Sequence, residues 1–353
     1  MSGFGFHRIL PGLCVLALAA GACSKQPRPV GSLREAPVDI RVSMDGESEA
    51  TKALVDFANG SYYGIFACIH EDSPSVFAPF KSSVYNARAK KVSGKWLFDY
   101  VGTASPGALD ATNASSFVLL QRTDDKTADL YAYAPWIQDA YLPSVGPTRI
   151  PFKVSEQKDL MYAEQNLNND NGGLDPAGMA PLSATFHFKH AMARLVFKFR
   201  VLNMPTNYRI TSLSIARTDD AATTHLYTSG TFNAITGALD CEEGTNADGK
   251  HILAVPKELT VDSTTPAALA VLLAPTEVAD DELSFTFTVN GQKLQPFVLK
   301  KDFVEHETGS GIYGFQAGYT YTFNFTLDNY VYFDGFSVNE DWESLDLPLP
   351  DYI

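Results

Sequence analysis

Cysteine is scarce in this chain, with four among 353 residues. None sits in a CxxC pair or any other metal-ligand spacing, so neither a zinc site nor a disulfide-stapled scaffold is indicated. Cys68 and Cys241 lie far apart among apolar neighbours and read as buried thiols. Positive charge is also short: 27 Lys and Arg face 41 Asp and Glu, for a net charge of −14. That balance removes the electrostatic reason to bind nucleic acid or an anionic membrane surface directly. The seven histidines are dispersed, and G-x-S-x-G, H-E-x-x-H and phosphate-loop motifs are all missing. His187 and His190, three apart on a strand, fall on opposite faces and make a poor metal pair. The Asn- and Asp-rich stretch from residue 168 fails as an EF-hand, because Met179 stands where the bidentate glutamate belongs. A hydrolase would need carboxylates such as Asp139 and Asp219 to meet in a cleft. No catalytic residue, metal or cofactor is therefore expected. Beyond residue 23 no apolar run approaches the ~18–20 residues of a membrane span.

What the chain does have begins at its N-terminus. Residues 9–23 form a short apolar run ending in Ala20-Gly21-Ala22-Cys23-Ser24. This reads as an export signal with a lipobox, which makes Cys23 the lipidated first residue of the mature protein. The alternative is an ordinary signal cut at the A-x-A-like site Ala20-Gly21-Ala22. Residues 1–22 are then the signal and 23–36, rich in Pro, Lys, Arg and Ser, a tether. With 45% hydrophobic residues, including 23 Phe and 16 Tyr, the remainder can bury substantial cores, and its length suits two domains.

The periodicity is that of strands. Val38, Ile40, Val42 and Met44 alternate with polar residues, and strand-like runs recur at 62–69, 96–100, 116–121 and 130–134. Residues 166–181, dense in Asn, Asp, Gly and Pro, read as an inter-domain connection, dividing the chain into 37–175 and 176–353. Phe186, Phe188, His190 and Met192 are even-numbered, whereas Leu195, Phe197, Phe199 and Val201 are odd. A β-bulge near Ala193-Arg194 would reconcile the two sets in one strand. Alternation at 283–289 precedes the hairpin signal Asn290-Gly291 and a return strand at 294–299. The best alternation in the chain is Tyr319, Tyr321, Phe323, Phe325 and Leu327. Many short strands with turn punctuation give an all-β fold of antiparallel sandwiches. Strand-borne aromatics are expected in the core, and Trp136 is the best candidate for an exposed contact.

Several short motifs, in order, resemble the Bacteroidia-type fimbrillins (Mfa-like and related pilus subunits). They are Lys95-Trp96, Leu130-Tyr131-Ala132-Tyr133-Ala134-Pro135, Asp159-Leu160-Met161-Tyr162-Ala163, Phe188-Lys189-His190-Ala191-Met192-Ala193-Arg194-Leu195, Gly318-Tyr319-Thr320-Tyr321 and Asp341-Trp342. The resemblance implies two transthyretin-like antiparallel β-sandwich domains in tandem. It also implies secretion as an outer-membrane lipoprotein exposed at the cell surface, and incorporation into type V pili beside other fimbrillin subunits. In such pili a surface protease removes the N-terminal strand after a basic residue, and a neighbouring subunit fills the groove by β-strand addition.

On this chain, residues 38–44 are the removable strand. Thr51-Lys52-Ala53 stands where the family often carries Thr-Arg-Ala, so Lys52 is the expected processing site, with Arg34 and Arg41 as alternatives. Leu345, Leu347 and Leu349 share one face of an extended tail and are candidate strand donors. Pro348 and Pro350 blunt the tail's other edge. The tail could instead pack on its own domain. The competing function is a monomeric surface lipoprotein that binds a host glycan or protein through its loops. Asp262-Ser263-Thr264 resembles a short O-glycosylation signal of exported proteins in these bacteria.

Overall fold

Pairing of backbone groups between strands, rather than helix formation, organises the described residues. A computed structural model describes residues 35–44, 62–69, 84–92, 95–99, 118–121, 128–141, 146–167, 182–201, 208–218, 221–244, 252–255, 258–261, 267–305, 311–327 and 331–339. These residues form strands and three 3-10 turns, and no helix among them is long and apolar enough to cross a membrane. The fold is all-β, as the periodicity predicts. The division at position 175 lies outside the described residues, as does the glycosylation-like triplet at 262–264.

The first nine strands are β1 (Glu35–Met44), β2 (Tyr62–Ile69), β3 (Tyr85–Val92), β4 (Lys95–Asp99), β5 (Val118–Gln121), β6 (Ala128–Ala134), β7 (Ile150–Lys153), β8 (Met161–Leu167) and β9 (Leu182–His190). All but β7 belong to one eight-stranded sheet of order β4-β3-β2-β6-β8-β9-β1-β5. Both faces of its centre are buried, so β2 and β6 read as continuous apolar runs rather than as alternation. The alternation is nevertheless present in three dimensions. Tyr63, Ile65, Ala67, Leu130 and Ala132 enter one core, whereas Phe66, Cys68, Tyr131 and Tyr133 enter another. Among the described residues the first core draws on β2, β3, β4, β6, β8 and β9 and on Val84 just before β3; Trp96 of β4 meets Tyr63 of β2 edge-on at 4.8 Å.

Local chemistry fixes the bend of β2 and β3. Asn86 sits at the register shift between them with φ 65°, a left-handed conformation that Asn tolerates. Its Oδ1 accepts from the Tyr133 hydroxyl at 2.7 Å, and its Nδ2 donates to Ile137 O at 2.8 Å. Gly64 lets the Tyr133 ring approach, since a Cβ there would lie 2.1 Å from it.

Fourteen strands follow: β10 (Ala193–Val201), β11 (Tyr208–Arg217), β12 (Tyr227–Phe232), β13 (Leu239–Glu243), β14 (Ile252–Val255), β15 (Leu259–Val261), β16 (Ala267–Leu273), β17 (Thr276–Glu277), β18 (Leu283–Val289), β19 (Gln292–Lys293), β20 (Phe297–Val298), β21 (Gly314–Phe315), β22 (Thr320–Leu327) and β23 (Val331–Asn339). A four-stranded sheet, β16-β10-β22-β23, faces a six-stranded one built on β14-β11-β18-β19 with β15 and β20. In the parallel pair β10/β22, Leu195, Phe197 and Phe199 stand level with Tyr321, Phe323 and Phe325. Phe197 stacks on Phe323 at 5.6 Å and meets Phe285 of the facing sheet edge-on at 5.0 Å. The aromatics are core, as their period-2 spacing implies.

Two expectations change. The phase slip near Ala193-Arg194 is not a bulge within one strand. The chain leaves the eight-stranded sheet after His190 and enters the four-stranded sheet at Ala193, with Ala191 and Met192 between. Each strand keeps its own phase because each faces its own core. The Asn290-Gly291 turn is present, with φ of 50° and 79°, but the return strand splits into β19 and β20 around Pro296, which has no amide to donate. Cys68 is buried and Cys241 half-buried, and both are free thiols.

Replacing Phe197 with Ala should cost about 3–5 kcal/mol in denaturant unfolding, the usual range for emptying a packed aromatic site. A second test concerns the Glu282 carboxylate, which accepts N–H bonds from Ala222, Thr223 and Thr224. Desolvation pushes its pKa up, but these backbone donors and the Thr224 hydroxyl outweigh it and bring it to about 2. A depressed pKa contributes stability that is complete above the unfolded-state value of about 4.3. That stability is lost as pH falls toward the folded value. Glu282→Gln should therefore flatten the loss of stability between these pH values in acid-titration melts.

Candidate assembly site

Among the described residues β1 is the first strand, yet its partners lie far along the sequence. Residues 38–44 run parallel to 182–188 of β9, and residues 35–38 run antiparallel to 118–121 of β5. Only Val38 is paired on both sides; residues 39–44 pair with β9 alone among the described residues. Val38, Ile40, Val42 and Met44 stand level with Leu182, Ala184, Phe186 and Phe188. Of these partners Ala184, Phe186 and Phe188 are buried in the core of the eight-stranded sheet, with Phe188 5.8 Å from Tyr63. A parallel pair cannot be closed by a hairpin, so β1 is held to β9 by backbone pairing rather than by local turn geometry. Pro37, with no amide, lies opposite Leu119 and outside the β9 pairing.

The opposite edge of β9 pairs with β8 over residues 161–167, and its C-terminal end meets a half-buried polar junction. His190 Nδ1 lies 2.9 Å from Asp159 Oδ2 and 3.0 Å from Oδ1. Arg194, at the start of β10, is buried; burial lowers its pKa and the Asp159 charge opposes that. Backbone bonds close the junction: Ala191 N donates to Leu160 O at 2.8 Å, and Arg194 N to Tyr319 O at 3.0 Å. His190 is thus an interface residue between two sheets. Among the described residues no group of three or more His, Cys, Asp or Glu could hold a metal ion.

Cys23, Lys52, Leu345, Leu347 and Leu349 all lie outside the described residues, as do Arg34, Asp219 and residues 168–181. Arg41 lies within β1, and Asp139 is exposed on a 3-10 turn. Trp136 is half-buried rather than free. Its Nε1 donates to Asn86 O at 3.3 Å and its ring covers the Arg88 guanidinium at 5.4 Å. Sequence reasoning reached β1 but not β9 as its partner, and it missed Asp159. The apolar alternation in both strands was the available signal, without any indication of which strands adjoin.

The packed sheets define a class of all-β proteins. The fimbrillin-like family model matches residues 76–342, and the chain belongs to that family. A candidate cell adhesion protein from Bacteroides ovatus has a TM-score of 0.55 at 16% identity, over 88% of this chain and 98% of that one. Another from Bacteroides uniformis has a TM-score of 0.50 at 18% identity, over 87% and 99%. These likenesses establish the shared fold. No curated protein sequence matches the chain significantly.

Asp159→Ala should cost about 1–3 kcal/mol, because it strips a half-buried hydrogen-bonding partner from His190. If the junction couples the sheets, the variant's single unfolding transition should broaden or split when followed by separate probes. An unchanged sharp transition at lower stability would make Asp159 a purely local contact.

Proposed function

We propose that the chain is an exported lipoprotein subunit of a type V fimbrillin pilus, assembling by exchange of its first strand and supporting adhesion or biofilm formation. It is not an enzyme in this reading. Cys23 carries the lipid that holds the unassembled subunit at the outer membrane, and cleavage after Lys52 frees residues 38–44. Other fimbrillin subunits are the partners.

The observation that carries this reading is the pairing of β1. It is an N-terminal strand held along residues 39–44 by one neighbour, β9, in parallel. Its loss leaves the backbone of β9 unpaired on that side and uncovers the edge of a core lined by Ala184, Phe186 and Phe188. An unpaired, apolar edge takes up an extended segment readily, by main-chain bonds and alternate side chains.

The tail suits that edge. Leu345, Leu347 and Leu349 repeat the i, i+2, i+4 spacing of Ala184, Phe186 and Phe188. Fully burying each leucine contributes about 1.5–3 kcal/mol. Their amides point to one side, toward β9, while Pro348 and Pro350 fall on the other. That side is open along residues 39–44, so proline there leaves no ladder bond unmade.

N-terminal sequencing and intact mass of subunits sheared from the cell surface test this directly. The expected start is Ala53, and Lys52→Gln should leave subunits unpolymerised with residues 38–44 attached. Removing residues 345–353 should block growth while leaving cleavage intact. A lipidated start at Cys23 in sheared protein that runs as a monomer would instead favour a surface lipoprotein binding through its loops.

A further inference from the structure

Strand β16 is the longest sheet edge without a charged residue among the described residues. Its sequence, Ala-Ala-Leu-Ala-Val-Leu-Leu, has no charge, glycine or proline, and Pro266 and Pro275 flank it closely. Among the described residues it has a strand partner on one side only, β10. An uncharged apolar edge of this kind is a template for pairing with another chain. Other margins carry visible obstacles. The edge strand β23 is broken by a register shift at Asp334 and Gly335, and the return strand beside β18 is broken at Pro296. Lys95 and Asp99 bracket β4, and β13 carries Glu242 and Glu243.

One side chain covers β16. Gln157 Oε1 accepts the Leu272 N–H at 2.8 Å, and Gln157 Nε2 donates to Leu272 O at 3.0 Å and to Val154 O at 2.8 Å. The amide thereby reproduces the double exchange of bonds that a residue of an antiparallel strand would make with Leu272. Gln157 is buried at 8% exposure. Its backbone holds φ 51° where the 3-10 turn Val154–Glu156 ends. That left-handed conformation favours Gly or Asn, so a glutamine there answers a need for an amide of this reach.

We propose that Gln157 is an edge guard, a surrogate strand that prevents two copies of this chain from pairing antiparallel through β16. Because outward-facing groups alternate along a strand, capping Leu272 leaves Ala268 and Ala270, both half-buried, as the remaining outward-facing positions of β16. This is shorter than the ~5–6 residues of a usual strand. The absence of charge on β16 means that nothing else repels a second copy of the same edge. The inference is independent of strand exchange at β1.

The test compares full-length wild type, Gln157→Gly and Gln157→Gly/Ala270→Pro by light scattering across a concentration series, with far-UV circular dichroism as the control of fold. Glycine accepts the positive φ and removes the amide. Ala270→Pro removes an outward N–H on the same edge without touching the β10 ladder. Gln157→Gly should keep its β spectrum while its weight-average mass rises toward twice the wild-type value, and the double variant should return to the wild-type mass. A Gln157→Gly mass that tracks wild type, or association that Ala270→Pro fails to reverse, overturns the proposal. If Gln157→Gly loses its fold, Gln157→Asn, which tolerates the φ but falls one methylene short, is read by the same criteria. Loss of fold in both makes Gln157 purely structural and overturns the guard.

Discussion

Strands at the margin of a sheet carry a row of outward-facing backbone donors and acceptors. In a chain built of strands and short 3-10 turns, the disposal of those groups governs everything else. At β9 the row is met by β1, a strand brought from the start of the chain and held by parallel pairing. At β16 it is met in part by the amide of Gln157. At β23 and beside β18 it is interrupted, by the register shift at Asp334 and by Pro296. The first solution differs from the rest in using a whole strand, whereas the others rest on a single side chain, a register shift or a proline.

Packing reinforces that difference. The aromatic ladder of Phe197, Phe199, Phe323 and Phe325 against Phe285 and Phe287 is formed by strands that pair on both sides, as in β10 between β16 and β22. It gives the C-terminal sheets a core built on β10, β18 and β22. The eight-stranded sheet has its own core, into which β9 directs Phe186 and Phe188. The junction of Asp159, His190 and Arg194 lies where β9 hands over to β10. The pairing of β1 with β9 reaches Phe188 and therefore ends two residues from the contact between the sheets.

Much of this was legible in the residues, unevenly. The alternation of Tyr321, Phe323 and Phe325 named β22 and its buried face, and Asn290-Gly291 named a turn, because both signals are local. The parity change between Phe188 and Leu195 was also visible, but a bulge and a change of sheet leave the same trace in a one-dimensional pattern. Only the positions of the partners separate them. Trp136 read as a free contact because nothing in its neighbours along the chain announces Asn86 or Arg88, some fifty residues away. Gln157 gave no signal at all, since a polar residue in a turn is ordinary until its partner, Leu272, is known.

The sequence by itself determined an all-β chain, the location of several of its strands, among them β1, β2, β6, β18 and β22, and the absence of any familiar catalytic motif, all properties written in composition or in the spacing of near neighbours. Tertiary structure decided which strands adjoin: that β1 lies along β9, that β9 and β10 serve different sheets, and that Gln157 reaches Leu272. The physical reason is that a strand's side-chain period says which face is apolar but carries no label for its edges. Backbone donors and acceptors are identical in every residue except proline, so their partners are chosen by the fold as a whole.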